Sequence, residues 1–530
     1  MLPFSLGWNS LLALCFSVLG ASSSVINTTV ALAYGTFTGL QDDDAGIVYF
    51  RGIAFADPPV NDLRWRAPVF SPSNHLGNVN ATGFGDICIE TATSTVPSGA
   101  SEDCLFINVN VPIGTDSTDK LPVLIYFHGG GFDSGNAIWY PPNALFQSST
   151  EPFIYASSQY RLGQFGFLGG SQLMANGDLN TGLLDQRAAL QWLQKYISNF
   201  GGDPERVTIW GESAGAASTM FQILANGGDT EGLFVAAMGD SPSLSFTPAY
   251  DSEYVEGIFT DFVANVGCDK DEDPMACLRE ADVNDLAAAG NKVLATKLAT
   301  VTPFGPILDG SFISKRAVDA FQDGTFAQIP LFFGSNTNEG AGWSANIAEP
   351  WANTTSSNAT EDTVYYFFKG QYDTLTNESF VKALELYPLA DYGNSYDLQG
   401  QQMYGETRYI CTAILINEAA RKSGLDAFQY RYENPHLGSN HAADLAAFFP
   451  SSLPSPSANA DDLALLEAMR GYWTSFATGG TPIAQGAPEW SATGNPRMLL
   501  HPGGIQLENV TNALSARCRF WHDLKEELNI

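Results

Sequence analysis

Residues 207–215 read VTIWGESAG, an apolar run that passes without a break into a G-x-S-x-G pentapeptide. The run predicts a buried strand, and residues 214–224 predict a helix directly after it. A serine on such a sharp strand-to-helix turn projects its hydroxyl from the sheet edge, and glycines are needed beside it because adjacent backbone leaves no room for side chains. The pentapeptide alone also fits an ordinary turn, so the strand and helix around it are what favour Ser213 as a nucleophile.

Two further segments predict how the sheet is built. Residues 121–127 (LPVLIYF) are almost unbroken apolar sequence, as expected for a strand covered on both faces. Between this run and the strand before Ser213, residues 180–200 repeat apolar side chains at the four-residue spacing of an amphipathic helix. A helix between two strands makes a crossover, so the sequence predicts an α/β fold with a parallel sheet.

A serine that attacks a carbonyl needs N–H donors preset for the oxyanion that forms. Residues 128–132 (HGGGF) directly follow the strand predicted over residues 121–127, where serine ester hydrolases carry a glycine-rich oxyanion loop. The amides of Gly130, Gly131 and Ala214 would form a hole with three donors. A glycine run also fits a flexible turn, whereas a phosphate cradle is disfavoured because no Lys-Ser/Thr pair follows.

The serine also needs a base, and the sequence contains six histidines. One belongs to the glycine loop, and His75 precedes the nucleophile, against the chain order Ser, Asp/Glu, His of this architecture. His501 and His522 resemble surface residues. His441 lies in a small-residue loop after a strand-like run, and His436, five positions earlier, remains a serious alternative.

The third member must be a carboxylate between the serine and the histidine, which orients the imidazole and stabilises its charged form. Residues 329–334 (IPLFFG) predict a buried strand, and Glu339 lies in the polar loop that follows. Its position makes Glu339 the best-placed candidate, although most of the 57 acidic residues must be solvated.

These motifs resemble the type-B carboxylesterase/lipase family, which includes cholinesterases and secreted fungal lipases. The resemblance covers nearly all of the chain after residue 21 and is carried by RGIAF (51–55), LRWRAP (63–68), EDCLFINV (102–109), HGGGF (128–132), GLLDQ (182–186), FGGDPERVTIWGESAG (200–215), NEG (338–340) and the loop 438–449. It implies an α/β-hydrolase fold, with a large mostly parallel central sheet flanked by helices, long insertions, and one domain over residues 22–530. It also implies that Ser213 is the nucleophile, His441 the base and Glu339 the acid.

Residues 1–21 resemble a secretory signal peptide, because a short apolar run is followed by small residues. Its removal leaves six of the seven cysteines, an even number that fits full pairing outside the cytosol. The family resemblance implies the pairs Cys88–Cys104, Cys268–Cys277 and Cys411–Cys518. The sequons lie at Asn27, Asn80, Asn353, Asn358, Asn377 and Asn509, which also fits a secreted, extracellular glycoprotein.

Composition and charge exclude several classes of protein. The chain has 530 residues, of which 45% are hydrophobic, enough for a large core. A net charge of −32 disfavours nucleic acids and anionic membranes as partners. No stretch after residue 21 is long and apolar enough to span a bilayer. We expect no cofactor and no metal, because the acidic segment 269–280 has Pro274 where a calcium loop requires glycine.

The segment between Cys88 and Cys104 bears on the substrate. In the family this loop carries the lid of the lipases and the cation-binding tryptophan of the cholinesterases. Here it is short and contains no aromatic residue, which favours neutral, broad-range esters with Phe448, Phe449 and Trp343 as candidates for the acyl pocket. A triacylglycerol lipase or sterol esterase, with a lipid ester as substrate, is the alternative, and a non-catalytic cholinesterase-like binding domain is a further one. The sequence does not indicate an oligomeric state.

Overall fold

The computed structural model describes residues 28–298, 303–450, 458–492 and 496–530. The predicted signal peptide and the sequon at Asn27 lie outside these residues. The strands are β1 (Thr29–Leu32), β2 (Gly35–Thr38), β3 (Leu40–Asp42), β4 (Ile47–Ala54), β5 (Asn78–Asn80), β6 (Ile87–Cys88), β7 (Ala100–Ser101), β8 (Phe106–Pro112), β9 (Leu121–Phe127), β10 (Ile154–Ser158), β11 (Gly202–Gly211), β12 (Ala236–Asp240), β13 (Leu331–Asn336), β14 (Ala427–Tyr432), β15 (Pro496–Leu500) and β16 (Gln506–Asn509). The helices are α1 (Asn143–Ser148), α2 (Gly163–Gly166), α3 (Ser171–Asn176), α4 (Thr181–Tyr196), α5 (Ala214–Gly228), α6 (Glu253–Val266), α7 (Pro274–Glu280), α8 (Val283–Leu294), α9 (Ala317–Asp323), α10 (Glu361–Lys369), α11 (Asn377–Leu384), α12 (Tyr396–Gly405), α13 (Cys411–Lys422), α14 (Ala460–Gly479), α15 (Asn512–Asp523) and α16 (Lys525–Leu528).

An eleven-stranded sheet forms the centre of the molecule, in the order β16-β15-β14-β13-β12-β11-β9-β10-β8-β4-β3. From β15 to β10 in that order, neighbouring strands pair in parallel, and antiparallel strands extend both edges. The chain between β12 and β13 forms α6–α9, and the chain between β13 and β14 forms α10–α13. These are the long insertions of the fold, and the prediction of an α/β-hydrolase fold with a mostly parallel sheet is confirmed.

Strand β9 shows why its sequence is apolar throughout. Val123, Ile125 and Phe127 contribute to one apolar core, while Leu124 and Tyr126 contribute to a second core. Successive side chains of a strand point to opposite faces of the sheet, so the two cores cover both faces. A strand covered in this way has no face left for polar residues.

The turn from β11 into α5 depends on two glycines. A Cβ atom on Gly215 would lie 2.0 Å from the carbonyl oxygen of Phe127, and one on Gly211 would lie 2.4 Å from the backbone of Gly215. These distances are far below van der Waals contact, so only glycine allows α5 to begin directly against the end of β9. The close approach brings the start of α5 to the carboxyl edge of the sheet.

Within the described ranges, no helix combines the length and the apolar character needed to cross a membrane. The structure contains the disulfides Cys88–Cys104, Cys268–Cys277 and Cys411–Cys518, which are the pairs that the family resemblance implies. The third disulfide joins the start of α13 to α15 across a separation of 107 residues, so it ties α15 to the second insertion.

Candidate active site

Ser213, Glu339 and His441 meet at one edge of the central sheet. Ser213 follows β11, Glu339 lies in the loop after β13, and His441 lies in the loop after β14. The Ser213 Oγ lies 2.8 Å from His441 Nε2, and His441 Nδ1 lies 2.7 Å from Glu339 Oε2. A hydroxyl, an imidazole and a carboxylate joined in this order allow the imidazole to remove the proton of the serine.

Backbone hydrogen bonds hold the three loops in place. The amide of Asn338 donates to the carbonyl of Ser439 over 2.8 Å, so the two loops are paired immediately before Glu339 and near His441. The amide of Ser213 donates to the carbonyl of Asp240 over 2.9 Å. The pairing of the parallel strands therefore continues beyond their ends and fixes the spacing of the side chains that follow.

Ser213 has an unusual backbone conformation, with φ 58° and ψ −119°. A residue with a side chain pays about 1–3 kcal/mol for such a conformation, which persists only where the surrounding structure enforces it. The strain lifts the hydroxyl out of the turn and towards His441. This is the geometry that the pentapeptide and its context predict.

The Glu339 side chain is fully buried, and both of its oxygens have partners. Oε1 accepts hydrogen bonds from the Ser241 hydroxyl at 2.5 Å and from the amide of Asn336 at 2.6 Å, which leaves Oε2 for His441. A carboxylate is an acceptor only, so this set of donors suits it and orients it towards the imidazole.

His441 contacts two aromatic rings that are also neighbours of each other, with centroid distances of 4.3 Å to Tyr409 and 5.4 Å to Trp343. Burial lowers the pKa of the imidazole, but the neighbouring carboxyl groups of Glu212 and Glu339 raise it by more, so the net shift of the His441 pKa is upward. The rings cover part of the imidazole, and the carboxyl groups stabilise its protonated form.

The other histidines do not reach the serine. The alternative base, His436, is hydrogen-bonded to Asp462 instead of Glu339. Its Nδ1 lies 2.6 Å from Asp462 Oδ2. The prediction that His522 is a surface residue was wrong: it is 7% exposed because α15 packs against the body of the molecule next to the buried Trp521, and burial lowers its pKa to about 4. The His128 ring is also buried.

The candidate oxyanion loop presents free amides to the serine. Gly130 and Gly131 have positive φ angles of 110° and 68°, which favour glycine. Among the described residues, none accepts a hydrogen bond from either amide. Ala214 is the first residue of α5, so its amide has no partner within the helix. All three residues line the same cavity as Ser213.

This cavity has a volume of about 300 Å³. Its lining consists of Gly130, Gly131, Phe132, Asp133, Ser134, Glu212, Ser213, Ala214, Ser243, Trp343, Arg408, Tyr409, His441 and Ala442. Trp343 is therefore at the site, as expected. Phe448 and Phe449 are fully buried against Trp210 in the second apolar core, so the expectation that they line the acyl pocket was wrong.

Glu212 is a site residue that the sequence reasoning missed. Its Oε1 lies 3.3 Å from His441 Nε2, and burial raises the pKa of its carboxyl to about 8. The G-x-S-x-G motif leaves the position before the nucleophile open, so the pattern itself does not mark this residue. A glutamate next to a nucleophilic serine is the signal that could have found it.

A second group behind the triad was also missed. The Tyr430 hydroxyl lies 2.9 Å from Asp240 Oδ1 and 2.7 Å from Asp444 Oδ2. A phenol has one proton to donate, so one of these carboxyls must carry a proton of its own. Burial raises the pKa of both carboxyls, in agreement with a shared proton. Asp444 also accepts a hydrogen bond from Asn336, which supports the Glu339 loop.

One group of potential metal ligands occurs among the described residues, formed by Cys268, Asp271 and Cys277. The two cysteines are joined in a disulfide, so their sulfur atoms are not available as thiolate ligands. Of these three residues, Asp271 is then left as a possible metal ligand.

Comparison with known proteins gives consistent results. The model of the carboxylesterase family matches residues 22–521. A secreted triacylglycerol lipase of Gibberella zeae is 31% identical over 474 residues, which are 81% of this chain and 79% of that protein. The pyrethroid hydrolase Ces2e of Rattus norvegicus is 29% identical over 97% of this chain and 92% of its own length. The crystal structure of Aspergillus niger EstA superposes with a TM-score of 0.85 at 30% identity and covers 95% of this chain and 99% of EstA.

Proposed function

This chain belongs to the carboxylesterase family and hydrolyses carboxylic esters, and we propose that it does so through an acyl-enzyme on Ser213. The observation that carries the proposal is the unbroken chain of hydrogen bonds from Ser213 through His441 to Glu339. These contacts supply a nucleophile, a base and a group that orients the base, which are the parts that acyl transfer requires.

In the acylation step, the Ser213 oxygen attacks the ester carbonyl while His441 Nε2 takes its proton. Glu339 accepts the hydrogen bond from Nδ1 and stabilises the imidazolium that forms. The amides of Gly130, Gly131 and Ala214 would bind the oxyanion, and His441 then gives its proton to the leaving alcohol. In the second step His441 activates a water molecule, which cleaves the acyl-enzyme by the same route and releases the acid.

We infer that short, broad-range esters are the preferred substrates. A cavity of about 300 Å³ lies at the lower end of the range for ligand pockets, and the segment from Cys88 to Cys104 spans only 16 positions. A triacylglycerol lipase is the second candidate, because a relative carries that name. Rates on p-nitrophenyl esters of increasing acyl length, measured below and above the solubility limit, separate the two. A jump in rate when an emulsion forms supports the lipase.

The variant Ser213→Ala tests the catalytic assignment. Turnover of p-nitrophenyl acetate should fall by about 10⁴-fold or more without loss of folding, and labelling by an organophosphonate should disappear. Ser171→Ala is the matched control, because this serine is exposed and remote from the cavity. A Ser213→Ala variant with near-normal turnover would remove Ser213 from the mechanism, and a folded wild-type protein that resists the organophosphonate would favour a non-catalytic binding domain.

We also infer that the protein is secreted as one domain, residues 22–530, after removal of residues 1–21. Three disulfides fit an oxidising compartment, and a relative is named as secreted. The sequon asparagines Asn80, Asn358, Asn377 and Asn509 are exposed, and Asn353 is half-buried. Sequencing the N terminus of the secreted protein tests the cleavage site, and peptide mass spectrometry tests the glycans.

A further inference from the structure

The wall of the catalytic cavity contains a buried positive charge that the proposed mechanism does not use. Arg408 is 7% exposed and lines the cavity together with Ser213 and His441. Its Nε donates to Ser243 Oγ over 2.8 Å, while its Nη1 is buried without a hydrogen-bond partner. In the part of the chain that the structure describes, no carboxylate lies within 4.0 Å of the guanidinium.

Other buried arginines of the chain do have such a partner. Arg161, 3% exposed, lies 2.7 Å from Asp185, and Arg64, 6% exposed, lies 2.7 Å from Glu102. A charge removed from water without a counter-charge is costly, and a partner offsets that cost. Arg408 therefore differs from these two arginines because, within the described residues, no carboxylate is paired with its guanidinium at salt-bridge distance.

Local structure explains how Arg408 is directed into the cavity. It lies in a π-helical turn, Glu406–Ile410, between α12 and α13. Such turns are rare and occur frequently at functional sites. Here two successive residues, Arg408 and Tyr409, both line the cavity. The guanidinium carbon lies 5.8 Å from the ring centroid of Tyr404 and 5.7 Å from that of Tyr409, contacts that stabilise a cation.

A small side cavity of about 20 Å³ lies next to Arg408. Gly131, Phe132 and Arg408 line both this side cavity and the catalytic cavity, and the remaining lining is Ser245, Phe246, Gly305, Pro306 and Gln371. His441 is not part of it. Because His441 must protonate the leaving alcohol, we assign the alcohol to the part of the catalytic cavity next to His441 and the acyl group to the part next to Arg408 and the side cavity.

We propose that Arg408 binds a carboxylate at the far end of the acyl group, so that the enzyme prefers half-esters of short dicarboxylic acids to neutral esters of the same shape. This inference rests on the proposed function, because it needs Ser213 to attack the ester carbonyl in the same cavity. A guanidinium suits this role, since it can donate two parallel hydrogen bonds to one carboxylate. Hydrolysis breaks the acyl–oxygen bond of the anionic half-ester, consumes one water and gives the dicarboxylate, the free alcohol and one proton, which is released to the solvent.

The net charge of the protein does not oppose this preference at the site itself. Surface charges are screened beyond about 8 Å at physiological ionic strength, whereas a buried charge is screened much less. The carboxyls that line the cavity are those of Asp133 and Glu212, and burial raises their pKa values to about 7 and about 8. Near neutral pH these two carboxyls are therefore ionised to a smaller extent than ordinary carboxyls, which lessens their repulsion of an anionic acyl group.

The test compares monoethyl glutarate with ethyl 5-methylhexanoate, in which an isopropyl group replaces the carboxylate. Values of kcat/KM are measured at about pH 6.5 for the wild type and for Arg408→Met, which keeps an unbranched apolar stem. In Arg408→Met we expect the ratio of half-ester to neutral ester to fall by about 10- to 100-fold, because the carboxylate loses its guanidinium partner. Lys382→Met is the control, because it removes the same charge from an exposed site, and its ratio should equal that of the wild type.

Each outcome decides the proposal. An Arg408→Met variant with normal turnover of the neutral ester and an unchanged ratio overturns it, and so does a fall of the same size in Lys382→Met. If Arg408→Met does not fold, the wild type decides. A preference for the half-ester of at least about tenfold supports the proposal, and a smaller preference or a preference for the neutral ester overturns it. A wild type that hydrolyses neither ester refutes the proposed function, and this inference with it.

Discussion

Replacing Glu339 by glutamine probes how the base is held. The Glu339 carboxylate accepts hydrogen bonds from the Asn336 amide and the Ser241 hydroxyl on Oε1, and from His441 on Oε2. A glutamine of the same shape offers one acceptor oxygen and one NH₂ donor. With its oxygen facing the Asn336 amide, its NH₂ faces His441 Nδ1. The imidazole then carries its proton on Nε2 and cannot accept the proton of Ser213.

The opposite orientation of the glutamine is less stable. It would place the NH₂ group against the buried amide of Asn336, and an unsatisfied buried donor costs about 1–3 kcal/mol. The Ser241 hydroxyl can rotate to suit either orientation, so the backbone amide decides. The unproductive tautomer is therefore favoured, and we expect kcat/KM to fall by about 10⁴-fold, or about 5.5 kcal/mol in activation free energy.

The assay is the hydrolysis of p-nitrophenyl acetate, with thermal unfolding as the check on folding. Asp444→Asn is the matched control, because Asp444 is equally buried but binds Asn336 and Tyr430 instead of His441. Its activity should fall by less than about tenfold. A Glu339→Gln variant that keeps more than about a tenth of the wild-type kcat/KM would refute the tautomer argument.

Two further predictions concern pH and the disulfides. A protonated His441 cannot act as a base, and its pKa is raised above the ordinary 6.5. We therefore expect kcat/KM to fall on acidification with a midpoint above pH 6.5. A midpoint below 6.5 in a pH–rate profile would contradict the upward shift. Replacing both Cys411 and Cys518 by serine should lower the free energy of unfolding by about 5 kcal/mol. Replacing both Cys268 and Cys277 should lower it by about 3 kcal/mol, because that disulfide closes a loop of 9 positions instead of 107. Guanidinium unfolding measures both, and equal losses would contradict the loop-entropy argument.

The parts of the site that could be predicted are those with local signals. Ser213 follows an apolar strand within a motif, and Glu339 follows another strand in a polar loop. Parallel strands end at one edge of the sheet, so side chains just beyond those ends meet without further information. The strand and loop patterns did not distinguish His441 from His436 as the base. The family resemblance was needed to favour His441. In the structure the backbone bond between Asn338 and Ser439 places His441 beside the acid.

Apart from Glu212, which is next to Ser213 in sequence, the missed residues depend on contacts that the sequence pattern does not show. Asp240 and Asp444 both contact the Tyr430 hydroxyl, from 190 and 14 positions away in sequence, respectively. Nothing in the sequence around either residue distinguishes it from the other acidic residues. The aromatic pair Phe448 and Phe449 follows the His441 loop closely in sequence, which suggested the pocket, but both rings turn into the core behind the sheet. Neither periodicity nor spacing contains the direction in which such a side chain points.

Arg408 shows a more general division within this molecule. The groups proposed for bond cleavage stand on turns at the ends of sheet strands, where backbone pairing sets their positions. Arg408 instead stands on a π-helical turn in the insertion between β13 and β14, held by the bond from the Leu244 amide to its carbonyl at 2.7 Å and by the disulfide at Cys411. A substitution of Arg408 can therefore alter which acyl group fits without moving Ser213. Specificity and bond cleavage are carried by different layers of the fold, which is why the sheet patterns that predict the chemistry do not predict the substrate.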